Sequence, residues 1–479
     1  MGSGRMSWFE QACGSLVVWE WIVLAYFLLV NSYSALLLVS AAWETREHSL
    51  RTRWESRWRI QGSSVAPALS MLVPAYNESA TILQSVQALL ALYYPNLEVI
   101  VANDGSKDDT LSILIEKFEL VPINPIYQQS VKTKPRRGLY RSRSHPNLLV
   151  VDKENGGRSD ALNAALNLAT GELVCAIDAD TIIEPEGLER LVRPFLTGED
   201  VVAAGGTIRA VNGCIVQRGR VVAVHAPTHA LAGFQVVEYI RAFLFGRVGW
   251  NRLGGNLIVS GAFGMFRRDA LVSTGGYETR TVAEDMEIVV RLRRRGYEQG
   301  SFQRIVYIPD PVGWTEVPES ARILGNQRDR WHRGLTDVIW RHRHVIFNPR
   351  YGAMGMVGFP YFLFVEWLGP FVEALGLVVL PVILLCGTVN VPFAILFFLL
   401  AYGYGLILSI SSLLLEEFTY HRHETLRDRA LLVIWALLET FGYRQLTVYW
   451  RIRGAVKYFQ GKSEWGAMER RGFAVKPSS

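Results

Sequence analysis

The sequence predicts an α/β domain placed between membrane-spanning helices, and three observations support this fold class. Half of the 479 residues are hydrophobic, and the longest apolar runs stand at the two ends of the chain, as is typical of membrane proteins. Between residues 66 and 349, short β-branched runs alternate with amphipathic helical patterns, which is typical of α/β domains. Arginine runs lie beside the hydrophobic segments, where positive charge marks a membrane flank rather than a nucleic-acid surface.

The first hydrophobic segment runs from about residue 16 to residue 42. It has no small-residue cleavage site and ends in a basic stretch, so it is typical of a retained anchor rather than a signal peptide. We therefore predict an anchor and a basic juxtamembrane stretch within residues 1–64, followed by a cytosolic α/β domain over residues 65–349.

Residues 350–450 contain three further hydrophobic segments, which predict interfacial and transmembrane helices. The first carries Glu366 and Glu373, and ionisable groups at that depth indicate a polar path. The third is interrupted by Glu439 and Arg444. Because the basic tail 451–479 is expected in the cytosol, we predict that the third segment is a re-entrant or interfacial helix pair.

Four buried-strand patterns, at residues 68–76, 97–104, 147–155 and 172–180, end in polar residues. In a parallel sheet these ends meet at one edge, which is where open α/β sheets bind ligands. The pattern places Asn77, Asp104, Lys153 and the pair Asp178 and Asp180 along that edge. Residues 121–147 are rich in proline and basic residues and show no clear period, which predicts a long surface loop.

Asp178 and Asp180 form the first motif with chemical meaning. Alternate residues of a strand face the same side, so both carboxylates can face one ligand. Hard oxygen ligands suit Mg²⁺ or Mn²⁺ bridging a diphosphate. A polar strand end followed by a turn explains the same letters.

Two loops after predicted strands have a functional and a structural interpretation each. Asp104 could accept a hydrogen bond from a uracil or ribose, or it could belong to a simple turn in which Ser106 or Asp108 caps a helix. Gly156, Gly157 and Arg158 suit a phosphate-rich neighbourhood, or they simply lead into a helix.

The second motif is Glu284-Asp285, which precedes a helical pattern. Carboxylates are stabilised in the first turn of any helix, and this is the structural interpretation. The functional interpretation is that Asp285 is a general base, because a sugar hydroxyl that attacks an anomeric carbon must lose its proton.

The third motif, at residues 327–331, reads QRDRW. Helical spacing places Gln327, Arg330 and Trp331 on one broad face. Arginine can clamp a diphosphate and tryptophan can stack on a sugar. The alternative is an amphipathic interfacial helix, which the neighbouring Arg328 supports equally.

The three motifs in this order resemble those of the family 2 processive glycosyltransferases, the inverting membrane synthases of the cellulose, hyaluronan and poly-N-acetylglucosamine type. The resemblance runs from Pro74 to Trp331 and more loosely through the terminal segments. It implies a GT-A fold, a UDP-sugar donor, Mg²⁺ or Mn²⁺, and a membrane channel for a growing glycan. The sequence departs from the family pattern at Ala283, where threonine is usual, and at Arg158, where lysine is commoner.

Sequence pattern and resemblance together give a set of site residues. The donor is expected at Asn77, Glu78, Asp104, Lys153, Arg158, Asp178, Gln327, Arg328, Arg330 and Trp331. The acceptor is expected at Ser260, Gly261, Ala262, Phe263 and Trp331. The metal is expected at Asp178 and Asp180, and the catalytic residues are expected to be Asp285 and its neighbour Glu284.

The leading hypothesis is a processive inverting glycosyltransferase that polymerises a β-linked, poly-N-acetylglucosamine-like polysaccharide from a UDP-sugar and moves it across the membrane. The expected location is a bacterial inner membrane with the catalytic domain in the cytosol, with membrane lipids and accessory export subunits as candidate partners and no nucleic acid. One alternative is an enzyme that adds a single sugar to a lipid carrier or glycolipid. Another is a non-catalytic sugar-nucleotide sensor, against which the intact carboxylates argue.

Overall fold

The computed structural model describes residues 8–55, 66–179, 181–217, 219–386, 391–420 and 425–462. The described residues form twelve strands. In chain order they are β1 Leu69–Ala75, β2 Leu97–Asn103, β3 Leu120–Pro122, β4 Arg136–Ser142, β5 Leu148–Lys153, β6 Leu173–Ile177, β7 Ile182–Ile183, β8 Val201–Ala210, β9 Ile215–Gln217, β10 Arg220–Ala223, β11 Phe263–Arg267 and β12 Arg304–Thr315.

The α-helices surround the sheet and continue beyond it. They are α1 Trp8–Glu55, α2 Ile82–Leu90, α3 Thr110–Lys117, α4 Arg158–Leu168, α5 Gly187–Thr197, α6 Ala230–Tyr239, α7 Val248–Leu253, α8 Arg268–Ser273, α9 Glu284–Glu298, α10 Ala321–Arg341, α11 Phe359–Tyr361, α12 Gly369–Cys386, α13 Val391–Phe398, α14 Gly405–Tyr420, α15 Leu426–Leu438 and α16 Tyr443–Phe459. Wider π-helical turns occupy Ile240–Arg247, Met354–Gly358, Phe362–Trp367 and Leu399–Tyr404, and short 3₁₀ turns occupy Arg343–Val345 and Pro349–Tyr351.

Ten strands form one mixed sheet in the order β3-β4-β5-β2-β1-β6-β11-β8-β12-β7. The four central strands β5, β2, β1 and β6 run parallel, as the four strand patterns predicted. Ala75 pairs with Asn103, and Asn103 pairs with Asp152. The loops that follow these strands therefore meet at one edge of the sheet, and the α/β prediction is confirmed.

The prediction that residues 121–147 form only a surface loop was wrong. Part of this segment is β4, which runs antiparallel to β5, with Arg136 beside Lys153 and Arg141 beside Leu149. Leu139 is the buried apolar side chain of β4, and three of the six other residues of the strand are exposed. The strand is held mainly by backbone pairing, which leaves no hydrophobic alternation to detect in the sequence.

Helices cover both faces of the sheet, so the strands bury both sets of alternate side chains. On β1, Met71 and Val73 join the core beneath α2 and α5, whereas Leu72 joins the core beneath α4 and α9. This layering holds the carboxyl edge of the sheet rigidly.

The terminal helices contact the α/β domain through elements from its middle. Helix α1 packs on α7 and on the π-turn Ile240–Arg247, α15 packs on α6, and α10 packs along α16. Within the described part of the chain, two helices are long and apolar enough to cross a membrane, Trp21–Thr52 and Met354–Val379.

The third hydrophobic segment is broken into two helices, because α15 ends at Leu438 and α16 begins at Tyr443. Its ionisable residues are paired: Glu439 with Arg241, and Arg444 with both oxygens of Glu373 at 2.8 Å. The assignment of this pair as re-entrant stays a prediction. Most of the predicted tail, from residue 463 onward, lies outside the described residues.

Candidate active site

Arg158 connects three parts of the chain at the carboxyl edge of the sheet. Its Nε donates to Asp178 Oδ1 at 2.9 Å, its Nη2 donates to the carbonyl of Gly261 at 2.6 Å, and its Nη1 pairs with Glu284. Burial alone would lower the pKa of Arg158, but the two carboxylates outweigh it and the pKa stands above its ordinary value. The side chain is therefore a fixed cation that holds the end of β6, the segment before β11 and the start of α9 together.

Asp285 lies in the first turn of α9, beside this cluster. Its Oδ2 accepts from the backbone amide of Gly261 at 3.1 Å, and its Oδ1 accepts from the amide of Met286 at 2.9 Å. No ion pair to Asp285 occurs among the described residues, although Arg158 and Arg247 are close enough to act on it electrostatically. Burial, followed by the charge of Glu284, raises the pKa of Asp285 to about 6. A carboxylate poised at that value can exchange a proton near neutral pH.

Asp104 and Lys153 support the neighbouring loop from inside. Lys153 is fully buried and donates to Asp104 Oδ1 at 2.7 Å, and it also pairs with Asp160. The carboxylate of Asp104 accepts from the amides of Gly156 at 2.9 Å and Gly157 at 2.7 Å. In this structure both side chains shape the loop, and the prediction that they contact a donor directly stays a prediction.

Gly105 allows this loop to form. It has a φ of 67°, and a Cβ at this position would lie 2.9 Å from the backbone nitrogen of Asn155. The N-cap of α3 is Asp109, so the prediction that Ser106 or Asp108 occupies that position was wrong. Asp108 instead lies one residue earlier and accepts from the amide of Thr110 at 3.1 Å, which stabilises the turn.

Asn77 and Glu78 follow β1 and are fastened to the loop after β2. The Oδ1 of Asn77 accepts from the amide of Lys107 at 2.8 Å, and the amide of Glu78 donates to Thr110 at 2.9 Å. Asn77 is exposed, so it lines the same edge as the central cluster.

Asp178 is the half of the Asp-x-Asp pair that the structure describes, because Asp180 lies outside the described residues. The side chain of Asp178 is 30% exposed. No group of three or more metal-binding side chains occurs within the described ranges. Two carboxylates with a diphosphate and water supply the hard oxygen ligands that Mg²⁺ and Mn²⁺ take, so the residues present fit such an ion.

Helix α10 brings part of the QRDRW motif to this centre. Burial lowers the pKa of Arg330, and the charges of Glu284, Asp178 and Asp285 oppose that shift, which places Arg330 in their electrostatic range. Trp331 is 42% exposed. The Oε1 atom of Gln327 is buried and has no hydrogen-bond partner among the described residues, so it is available to a ligand.

The structure does not bring two of the expected residues to the centre. Arg328 donates to Glu238 at 2.8 Å, and its guanidinium lies 4.5 Å from the ring centroid of Trp331, because it is on the face of α10 that meets α6 and α16. Phe263 begins β11 and is fully buried in the core, because both faces of the sheet are covered at this strand. The donor role of Arg328 and the acceptor role of Phe263 are therefore corrected to structural ones.

The other residues predicted to bind the acceptor make backbone hydrogen bonds. The amide of Asp178 donates to the carbonyl of Ala262 at 3.2 Å, and the amide of Phe263 donates to the carbonyl of Ser260 at 3.2 Å. The segment 260–262 therefore lies against Asp285 and Asp178, and its role in acceptor binding stays a prediction.

Sequence reasoning missed Asp160 and Arg247. Asp160 reads as an ordinary first-turn acid of α4, and its pairing with Lys153 depends on the fold. Arg247 stacks over Phe243 at 4.0 Å, and its Nη1 atom is buried without a hydrogen-bond partner in the part of the chain that the structure describes. No local sequence signal distinguishes Arg247 from the many arginines near membrane segments.

Comparison with known protein families gives two matches. Residues 70–273 match the family described as glycosyl transferase family 2, and residues 173–408 match the related glycosyl transferase family group 2. Together the matches extend from β1 to α14 and include every motif described above.

Curated relatives are similar at 28% identity. One is the probable glycosyltransferase YdaM of Bacillus subtilis, aligned over 64% of this chain and 65% of that protein. Another is the poly-β-1,6-N-acetyl-D-glucosamine synthase of Staphylococcus aureus, aligned over 57% of this chain and 56% of that protein. The alignments thus span a little over half to two thirds of these relatives.

Among solved structures, the mannosyltransferase PcManGT of Pyrobaculum calidifontis, solved with GDP-mannose and Mn²⁺, is similar with a TM-score of 0.51 and 18% identity. The superposition covers 92% of this chain and the whole of that one. This likeness shows a GT-A-like glycosyltransferase fold. The two family matches together show that residues 70–408 are similar to family 2 glycosyltransferases.

Proposed function

We propose that this protein is a processive, inverting glycosyltransferase that builds a β-linked polysaccharide from a UDP-sugar, of the poly-N-acetylglucosamine type, and passes it across the membrane. The observation that carries the proposal is the carboxylate of Asp285, which is held by two backbone amides beside Arg158 and has a pKa raised to about 6. Such a group suits one-step transfer, in which an acceptor hydroxyl attacks the anomeric carbon from the side opposite the leaving diphosphate.

Each residue of the centre has a role in this reaction. Asp285 accepts the proton of the attacking hydroxyl, and the amide of Gly261 keeps one of its oxygens in place. Arg158 holds Asp178 and Glu284 at fixed separation. Arg330 supplies positive charge near the diphosphate as the glycosidic bond of the donor breaks.

A divalent ion, Mg²⁺ or Mn²⁺, fits beside Asp178 and Asp180. When bound, it neutralises charge on the departing diphosphate. The solved mannosyltransferase contains Mn²⁺, which supports this choice of cofactor without deciding between the two metals.

The packing of α10 supports polymer synthesis coupled to translocation. The helix that carries Gln327, Arg330 and Trp331 packs along α16, and the ends of the chain supply two apolar helices long enough to cross a membrane. A relative is named as a poly-N-acetylglucosamine synthase. We therefore also propose a bacterial inner-membrane location with the catalytic domain in the cytosol, a growing glycan as acceptor, and accessory export subunits as candidate partners.

Product analysis tests the proposal. The purified protein in lipid is incubated with Mg²⁺ or Mn²⁺ and a panel of UDP- and GDP-sugars, and the products are resolved by mass spectrometry and gel. The Asp285→Asn variant, which keeps the side-chain volume, is the matched control. A long polymer from one donor, absent with the variant, supports the proposal.

Other products would reject parts of it. A single sugar on a lipid would remove processivity and favour transfer to a lipid carrier or glycolipid. Donor turnover that survives in Asp285→Asn would remove the base assignment, and the absence of turnover with any donor would favour a sensor.

A further inference from the structure

The segment between β3 and β5 is strongly basic. Residues 121–147 contain six Lys and Arg and no Asp or Glu. All six side chains are exposed: Lys132, Lys134, Arg136, Arg137, Arg141 and Arg143. Within the described residues, none of the six forms an ion pair with a carboxylate of this chain, so their charge faces solvent uncompensated by any contact.

The antiparallel course of β4 separates these charges into two groups. Arg136 lies beside Lys153, at the carboxyl edge of the sheet, whereas Arg141 lies beside Leu149, toward the opposite edge. Five residues of extended strand span roughly 16 Å, which exceeds the screening length of about 8 Å at physiological salt. We call Lys134, Arg136 and Arg137 the basic rim.

The basic rim is joined to the loop that surrounds Asp104. The amide of Lys134 donates to both oxygens of Asp160, at 3.1 and 3.2 Å, and Asp160 pairs with Lys153. The amide of Glu154 donates to the carbonyl of Pro135 at 3.0 Å. The rim therefore stands beside the loop where the nucleotide of the donor is expected.

Near Asp104 the positive charge of this edge is taken up by carboxylates. Asp104 and Asp160 share the cation of Lys153, and the exposed Glu154 adds a further negative charge. In the catalytic centre, the carboxylates of Asp178, Glu284 and Asp285 lie in electrostatic range of the guanidiniums of Arg158, Arg247 and Arg330, so these charges largely offset one another. An anionic nucleotide sugar is therefore attracted by further positive charge beside the loop.

We propose that the basic rim of Lys134, Arg136 and Arg137 attracts the anionic nucleotide sugar to the site and so raises the efficiency of donor capture. This inference rests on the proposed function in that the donor is a nucleotide diphosphate sugar. The rim acts through long-range charge, so it contributes to donor capture and not to the chemical step.

Two double substitutions can be compared along one strand. The rim pair, Arg136→Gln/Arg137→Gln, removes two charges at the start of β4. The distant pair, Arg141→Gln/Arg143→Gln, removes two charges near its end. We expect the rim pair to lower kcat/KM for the donor about fivefold at roughly 0.15 M salt, where the screening length of about 8 Å is shorter than the separation of the two pairs. The value of kcat should change little, and the loss should vanish by about 0.5 M salt. The distant pair should stay within about twofold of the unsubstituted protein at both salt concentrations.

A charge-preserving variant distinguishes attraction from loop damage. Arg136 also contacts Asn124 and stacks over Tyr127 at 5.3 Å, so Arg136→Lys/Arg137→Lys keeps the charge while losing these contacts. Recovery of kcat/KM in this variant supports the proposal. Equal losses in the two glutamine pairs, a loss that salt does not relieve, or a lysine variant as impaired as the glutamine variant would each overturn it.

Equilibrium binding of UDP with Mn²⁺, measured by calorimetry on the same set of variants, separates this inference from the proposed function. If no sugar is transferred but UDP affinity follows the pattern above, the proposed activity is rejected and the role of the basic rim is supported. If sugar is polymerised and the two glutamine pairs bind UDP equally, the role of the basic rim is rejected and the proposed activity is supported.

Discussion

The carboxylates Asp285 and Asp329 lie on neighbouring helices but in opposite electrostatic surroundings. Asp329, on α10, is buried and bonded to Arg453 at 2.8 Å and Lys457 at 2.7 Å, both on α16. Asp285 accepts hydrogen bonds from backbone amides, and no cation pairs with it among the described residues. A carboxylate with two partner cations fixes one helix to another, whereas a carboxylate without one keeps its affinity for a proton.

The difference shows that one face of α10 lies toward the candidate catalytic centre, whereas another face attaches the helix to α16. Gly454 of α16 lies against the backbone of Asp329, where a Cβ would come within 2.3 Å of the carbonyl oxygen. This close approach allows the two ion pairs to form. The catalytic centre and the contact between α10 and α16 can therefore be disrupted separately, and the expected effects differ in size and in kind.

The largest effect is expected from Asp285→Asn. The amide cannot accept the proton of the acceptor hydroxyl, so kcat should fall about 10³-fold. The melting temperature should fall only modestly, because no ion pair is broken, although the NH₂ of asparagine replaces one of the two oxygens that accept from the amides of Gly261 and Met286. Steady-state kinetics beside a thermal melt in detergent checks both, and a kcat within tenfold would remove Asp285 from the role of base.

Arg158→Ala should affect both stability and activity. It leaves Glu284 and Asp178 without their shared cation at a partly buried site, which should cost about 3 kcal/mol of stability. Arg158→Lys, the residue commoner in the family that the chain resembles, keeps one charge and should recover part of the loss. Melting temperatures of the two variants make the comparison, and equal losses would show that charge at this position is unimportant.

Asp329→Asn should disrupt the attachment of α10. Because Arg453 and Lys457 are about one third exposed, the loss should be about 2 kcal/mol, below that for a fully buried pair. We expect a lower melting temperature and a raised donor KM with a smaller change in kcat, since Gln327 and Arg330 are displaced together.

The matched control is Glu186→Gln, at the residue that precedes α5, which removes an exposed carboxylate paired with Arg190. Such a pair should contribute less than about 1 kcal/mol. If both substitutions lower the melting temperature equally, the pairs of Asp329 are no more important than a surface contact.

The smallest expected effect is that of pH on the unsubstituted protein. With its pKa raised to about 6, Asp285 is mostly protonated at pH 5, and kcat/KM should be about one tenth of its value at pH 8. The raised pKa means that the protonated form is favoured in the folded state. The stability that protonated Asp285 contributes is therefore complete below the ordinary pKa of an aspartate, near 4, and is lost as the pH rises through 6.

Titration of Asp285 thus inactivates the protein without unfolding it. A pH profile of kcat/KM, with melting temperatures at pH 5 and pH 8 as the control, checks this expectation. A flat profile across this range would argue against proton transfer to Asp285.

The parallel strands and the start of α9 could be predicted because their signals are local. The runs that became β1, β2, β5 and β6 are short, apolar and followed by polar residues, and a parallel sheet requires that their ends meet. Strand β4 could not be predicted, because its one buried apolar side chain, Leu139, leaves no alternation to detect.

Within the QRDRW motif, too, some positions could be predicted from local spacing and others depended on distant contacts. Helical spacing alone placed Gln327, Arg330 and Trp331 on one face. Arg328 instead bonds to Glu238 on α6, which lies ninety residues earlier in the chain. The spacing of residues within the motif cannot predict that contact.

By itself the sequence determined the alternation of strands and helices, the order of the three motifs and the apolar ends, since these follow from residue type and short-range periodicity. The tertiary structure alone decided which charged groups compensate one another. Arg158 joins Asp178 to Glu284, and Asp104 pairs with Lys153. Asp329 pairs with two cations, whereas no ion pair to Asp285 occurs in the part of the chain that the structure describes. Pairing depends on distance and burial between segments far apart in the chain, and those quantities exist only after folding.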